Sequence, residues 1–321
     1  MNSCPKNAFV DQTCGTGVVP TNPFKRFEKH DVEQSIASRF EQEVNQYSGR
    51  LAIKDRDNAF SYDALNRMAN RIARAILARD HRTERPVALV TTNDALTFAA
   101  ILGILKAGKI VVPIDSSLSK QRAKFILEDT EANILLTAAE NLSLAKEWAG
   151  SHLPLVEVQR LDPELSDANV GLDIPPGAYA HILYTSGSTD QPKGVLDIHR
   201  NILHHVMRVT NRSHISAADR MAVLRPPSSS GALLNAFSAL LNGTSLYVLN
   251  HYAASMALAT ELAMDPLRAH IHWSLGRLHR RERLLEQART ELSQALAAYR
   301  SMEMPFWKDT AEQEISELGA H

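Results

Sequence analysis

The chain has 321 residues, 44% of them hydrophobic, with 35 Lys and Arg against 36 Asp and Glu for a formal net charge of −1. A near-balanced charge gives no electrostatic case for nucleic acid or a membrane surface as a partner. The longest apolar run, residues 95–114, is interrupted by Lys106, Gly108, Lys109 and Pro113, so it does not read as a membrane span. No charged segment followed by an apolar core opens the chain, and the only cysteines, Cys4 and Cys14, are too few for a zinc site. Free thiols in a reducing compartment, and hence a cytoplasmic protein, are expected.

In chain order, Ser61 is a plausible N-cap for a helix through residue 77. Its apolar positions Leu65, Met68, Ala69, Ile72, Ala73 and Ile76 share one face. Residues 87–92 read as a strand, 96–107 as a helix stopped by Gly108, and 110–114 as a buried strand. Lys106 and Lys109 are expected to solvate that helix end. A helix over 120–128 and a short strand over 134–137 follow, then a loop-rich stretch over 150–177 marked by Pro154, Pro163, Pro175 and Pro176. A strand over 181–184 precedes a hydroxyl- and glycine-rich turn, and a helix covers 199–209. Strands at 220–224 and 245–249 flank a helix at 233–241. Strands alternating with helices predict an α/β fold, with a layered, largely parallel sheet and helices on both faces.

The turn carries the chemistry. Thr185, Ser186, Ser188 and Thr189 supply hydroxyl donors, Gly187 lets the backbone approach closely, and Lys193 followed by Gly194 brings a positive charge. Such a loop suits phosphate. The Walker spacing is absent. His199, His204 and His205 cluster without an acidic or cysteine companion, so packing or solvent contact is their expected role rather than metal binding.

The run Tyr184-Thr185-Ser186-Gly187-Ser188-Thr189-Asp190-Gln191-Pro192-Lys193-Gly194 resembles the phosphate-binding signature of adenylate-forming ligases: acyl-CoA synthetases, luciferases and nonribosomal peptide synthetase adenylation domains. One position departs from it, because Asp190 stands where the family has a second glycine. Residues 60–77 and the block Leu105-Lys106-Ala107-Gly108-Lys109-Ile110-Val111-Val112-Pro113-Ile114-Asp115 also resemble that family. The resemblance implies ATP, as Mg-ATP, held by Thr185, Ser186, Gly187, Ser188, Thr189, Lys193 and Gly194. It also implies a carboxylic acid as second substrate. Aligned on Ala239-Leu240-Leu241-Asn242-Gly243, the position that pairs with a substrate α-amino group falls on Ser230. Serine cannot form that ion pair, so an acid lacking the amine is expected.

The resemblance stops after Asn250. Within the remaining residues there is no Tyr-Gly block with its metal-holding acid, no ribose-binding aspartate, no hinge and no catalytic lysine, so no catalytic and no metal-binding residue is assigned. Residues 258–318 are rich in helix formers, and Leu275, Gly276, His279, Ala288, Leu292 and Ala295 are spaced as in a tetratricopeptide repeat. Residues 268–307 resemble the repeat-rich ends of large bacterial signalling ATPases. The arginine-rich run over 277–283 is expected to be a solvated helix face. The expected division is a partial adenylation domain over 1–252 and an all-α tetratricopeptide-like tail over 253–321. The expected function is a truncated relative of an adenylate-forming ligase that keeps phosphate contact. The alternatives are a non-catalytic protein that recruits a partner through the tail, and a gene-fusion remnant.

Overall fold

Two consecutive helices explain how the body is layered. The computed structural model describes residues 22–185, 192–249, 252–261, 263–281 and 284–318. The elements in order are α1 (Ile36–Tyr47), β1 (Leu51–Lys54), β2 (Ala59–Ser61), α2 (Tyr62–Leu77), β3 (Pro86–Thr91), α3 (Ala95–Lys106), β4 (Ile110–Asp115), α4 (Lys120–Asp129), β5 (Leu135–Thr137), α5 (Leu142–Ala149) and β6 (Leu155–Glu157). They continue with β7 (Tyr179–Thr185), β8 (Lys193–Ile198), α6 (His199–Ser213), β9 (Arg220–Val223), α7 (Ser230–Leu240), β10 (Ser245–Val248), α8 (Tyr252–Glu261), α9 (Asp265–Arg281), α10 (Leu285–Ser301) and α11 (Pro305–Leu318).

α2 begins as its sequence predicts: the Ser61 side chain accepts from the Ala64 N–H at 3.1 Å, and Asp63 sits favourably in the first turn. Of its predicted stripe, Leu65, Ala69, Ile72, Ala73 and Ile76 are buried and Met68 is partly buried against the same core. α3 is capped by Asp94, which accepts from the Thr97 N–H at 2.7 Å, and nearly all its residues are buried, so it has no wet face. A helix apolar all round must be covered on every side. It packs against α1, α2 and strands β3 and β4. Gly108 ends it in the left-handed region, at φ +65°, which a side chain would strain.

The expected parallel sheet is divided in two. One has four strands in the order β2-β1-β10-β9, and the other has six in the order β6-β5-β3-β4-β7-β8. In the first, β1, β10 and β9 are parallel and pair Ile53 with Leu246 and Leu246 with Met221, while β2 is antiparallel. In the second only β8 is antiparallel. Alternate β3 residues serve two cores: Val87 and Leu89 face α2 and α3, whereas Ala88 and Val90 pack with α4 and α5 through Ile126 and Trp148.

The loop-rich stretch holds the short β6 and one turn of 3-10 helix. Lys106 and Lys109 correct the sequence expectation. Neither is solvated: they are 2% and 0% exposed, Lys106 paired with Glu41 and Lys109 with Asp80 at 3.4 Å. Lys109 also donates to the Arg82 carbonyl. Burial pulls both ammonium pKa values down, while hydrogen bonds from Arg82 hold the Asp80 carboxyl well below its usual range.

The last three helices have cores of their own. Ala269, Ala295, Tyr299 and Ala311 form one cluster, and Ala288, Leu292 and Leu318 another. The Tyr299 hydroxyl and His270 Nδ1 are 2.7 Å apart, and Trp307 meets the rings of His270, Trp273 and Tyr299. The arginine run does not simply face water, since Arg277 and Arg280 reach Glu314 and Glu317 of α11 at 3.6 and 2.9 Å.

Candidate functional site

β3, β4 and β7 run parallel, so Thr91, Asp115 and Thr185 end on one edge of the six-stranded sheet. Ligands of open α/β sheets bind outside such carboxyl ends. The hairpin from β7 to β8 turns there, with Thr185 directly across from Lys193. Ser186, Gly187, Ser188, Thr189 and Asp190 lie outside the described residues, as do Cys4 and Cys14. What the structure shows is the mouth that holds the turn.

Lys193 is exposed at that mouth, and no carboxylate lies within ion-pair range of it among the described residues. Gly194 lies across from Tyr184, and a Cβ there would come within 3.0 Å of the Ile182 Cγ2 and 3.2 Å of the Tyr184 ring. Glycine thus keeps the second residue after the turn tight against β7. Tyr184 is pinned in turn. Its hydroxyl donates to Asp129 at the end of α4 and its ring meets Phe125 edge-on, while burial, aided by the carboxylate, drives its pKa up. The exposed lysine and the side-chain-free Gly194 suit a phosphate-bearing ligand at the turn.

Two straps join the sheets on this edge. Asn93, just after β3, donates through Nδ2 to the Leu249 carbonyl at 2.9 Å. Ser228 donates to Asp115 Oδ2 at 3.1 Å, and the other oxygen of Asp115 takes the N–H and hydroxyl of Ser117 at 2.8 and 2.7 Å. Asp115 is thereby consumed in holding the loop before α7. Ser230 is the first residue of α7, exposed and two positions beyond that anchor. The same strap that fixes Ser228 fixes its place. Sequence reasoning missed Asn93, Asp115 and Asp129 as supports, because a polar residue after a strand gives no sign of which distant carbonyl or hydroxyl it will meet.

His199 begins α6 and is fully buried, with Nδ1 accepting from the Ile36 N–H at 3.1 Å. Burial, with a smaller contribution from His181, lowers its pKa to about 4. His204 is exposed and His205 half-buried. Among the described residues no group of three His, Cys, Asp or Glu could hold a metal, and no helix is long and apolar enough to cross a membrane.

The profile of the AMP-binding enzyme family matches residues 40–306. Tyrocidine synthase 1 of Brevibacillus parabrevis is 33% identical over 221 residues, which cover 68% of this chain and 20% of that protein. Surfactin synthase subunit 1 of Bacillus subtilis (strain 168) is 31% identical over 218 residues, covering 67% of this chain and 6% of that one. The chain therefore spans a small fraction of these relatives. Among solved structures, the AMPPNP-bound nonribosomal peptide synthetase FmoA3 superposes with a TM-score of 0.66 at 23% identity, over 74% of this chain and 25% of that one. The inhibitor-bound N-terminal domain of FACL13 from Mycobacterium tuberculosis gives 0.66 at 19% identity, over 71% and 61%. At such identities these structures establish the fold alone.

Proposed function

The chain belongs to the AMP-binding enzyme family, and from that premise we propose that it binds ATP or AMP at the turn between β7 and β8. Lys193 is the phosphate lysine, Thr185, Ser186, Gly187, Ser188 and Thr189 form the cradle, and Gly194 keeps the turn close to β7. The observation that carries this reading is Lys193 itself: a cation without an ion-pair partner among the described residues, directly across from Thr185 on the carboxyl edge. Bound ATP supplies an electrophilic α-phosphorus for a carboxylate to attack. This chain's residues bind and orient it, with hydroxyls and backbone N–H groups on the phosphate oxygens and Lys193 offsetting their charge.

Ser230 points to a carboxylic acid without an α-amine as the second ligand. These 321 residues contain no lysine or metal-holding acid in the family's later pattern, so phosphate contact without full adenylation is the activity we assign to them. Cytoplasmic residence follows from that use of ATP. Calorimetric titration with ATP and AMP, with and without magnesium, tests the reading. No heat at nucleotide concentrations on the order of millimolar rejects it.

A second reading concerns the end of the chain. A Cβ on Gly276 of α9 would meet the Leu292 Cγ of α10 at 2.6 Å, a small-to-large fit between two helices of a hairpin. That packing favours a tetratricopeptide-like tail over 253–321 that presents a protein-binding face, beside a partial adenylation domain over 1–252. Deleting the tail and asking whether a captured partner is lost separates this reading from the first.

A further inference from the structure

β8 is the outermost strand of the six-stranded sheet, and among the described residues nothing pairs with its outer edge. Lys193 to Leu196 are exposed, Val195 by 52% and Leu196 by 44%. An edge strand with a row of open N–H and C=O groups and apolar side chains in water is a template for another strand. Proteins usually blunt such edges with central charges, bulges or a covering element. Here the charges are Lys193 at one end and Asp197 one residue short of the other, with Gly194, Val195 and Leu196 between them.

Reversed, that order puts an opposite charge at each end, so the strand is complementary to its own reverse. We propose that β8 pairs antiparallel with β8 of a second copy of this chain, with the two-fold axis passing through Val195. In that register Val195 faces its own copy, Gly194 faces Leu196 of the second copy, and Lys193 faces Asp197 of the second copy, twice over. Residues directly opposite in an antiparallel pair share a face and interact, so two Lys–Asp pairs flank one Val–Val contact. Gly194 leaves room for the opposing Leu196.

Among the described residues neither charge is held in a salt bridge with an opposite charge. Asp197 uses Oδ1 for the Ile198 N–H and the Asn201 Nδ2, both at 2.9 Å. Shifting the register by one residue sets Lys193 against Ile198 and Asp197 against Gly194, which pairs no charges and is disfavoured. The occupant is a second copy because a two-fold contact requires a strand complementary to its own reverse. A foreign strand would impose no such symmetry on β8. The two six-stranded sheets then join into one continuous sheet. The inference rests on the strand's position and charge order, and it draws on Lys193, which the phosphate site also uses.

The test is sedimentation velocity of the full chain across a concentration series, with variants at Val195, which takes no part in the phosphate site. Wild type is expected to pass from monomer to dimer, and more weakly at high salt, where exposed pairs are screened. Val195→Lys places like charges face to face on the axis and is expected to raise the dissociation constant roughly tenfold or more, with an unchanged far-ultraviolet spectrum. Register is read by oxidative cross-linking in a Cys4→Ser, Cys14→Ser background. Val195→Cys is expected to form a disulfide-linked dimer rapidly, whereas Leu196→Cys, offset from its own copy, is not. A monomer at every concentration, a dimer indifferent to Val195→Lys, equal cross-linking at both positions, or pairing only with a different polypeptide would overturn the proposal.

Discussion

Gly103 of α3 lies against Ile72 of α2 so closely that a Cβ built on it would stand 2.7 Å from both the Cβ and Cγ2 of Ile72, and 2.9 Å from the Ala69 carbonyl oxygen. One missing side chain therefore sets the spacing of the two helices that fill the layer between the sheets. Gly103→Ala is expected to destabilise the body by about 1–3 kcal/mol, because backbone and a β-branched side chain must both move. Denaturant unfolding measures it, and an unchanged midpoint would show that α2 and α3 are not in contact there.

His199 predicts a pH dependence. Its folded pKa, about 4, lies below the ordinary 6.5, so between those values the unfolded chain binds more protons than the folded one. The contribution is complete above pH 6.5 and is lost as the pH falls toward 4, amounting to about 3 kcal/mol. Protonation of Nδ1 also ends its acceptance of the Ile36 N–H, releasing the start of α1. His199→Gln keeps an acceptor without titrating, and its stability is expected to vary less over this range. Parallel curves for the two proteins would refute the assignment.

The nucleotide reading turns on charge at the hairpin mouth. Lys193→Ala is expected to weaken ATP binding by about tenfold, the scale of one charge-assisted contact. Asp190→Gly is expected to strengthen it, since a carboxylate beside a polyphosphate repels. Calorimetry on both variants decides the matter: equal affinities in all three proteins would sever the loop from phosphate.

Gly276→Leu is expected to disrupt α9 and α10 while leaving the body's unfolding transition in place, because the clusters of the last three helices share no residue with the body's cores. Hydrogen exchange resolved along the chain reads both at once. Protection lost equally in α2 and α10 would instead mean one cooperative unit.

Local patterns could be read directly from the order of residues: Ser61 and its stripe on α2, the stop at Gly108, the strand that leads into the β7–β8 hairpin, and the alternation that predicts an α/β layer. Periodicity and capping act within a turn or two, and a single chain displays them openly. The division into two sheets was hidden because it depends on β1 pairing with β10, Ile53 with Leu246, far apart in sequence. Lys106 and Lys109 misled for the same reason. A lysine at a helix end looks solvated until a distant carboxylate, Glu41 or Asp80, is folded against it. Desolvation and cross-sheet pairing depend on what surrounds a group in three dimensions, and only the tertiary structure decides that.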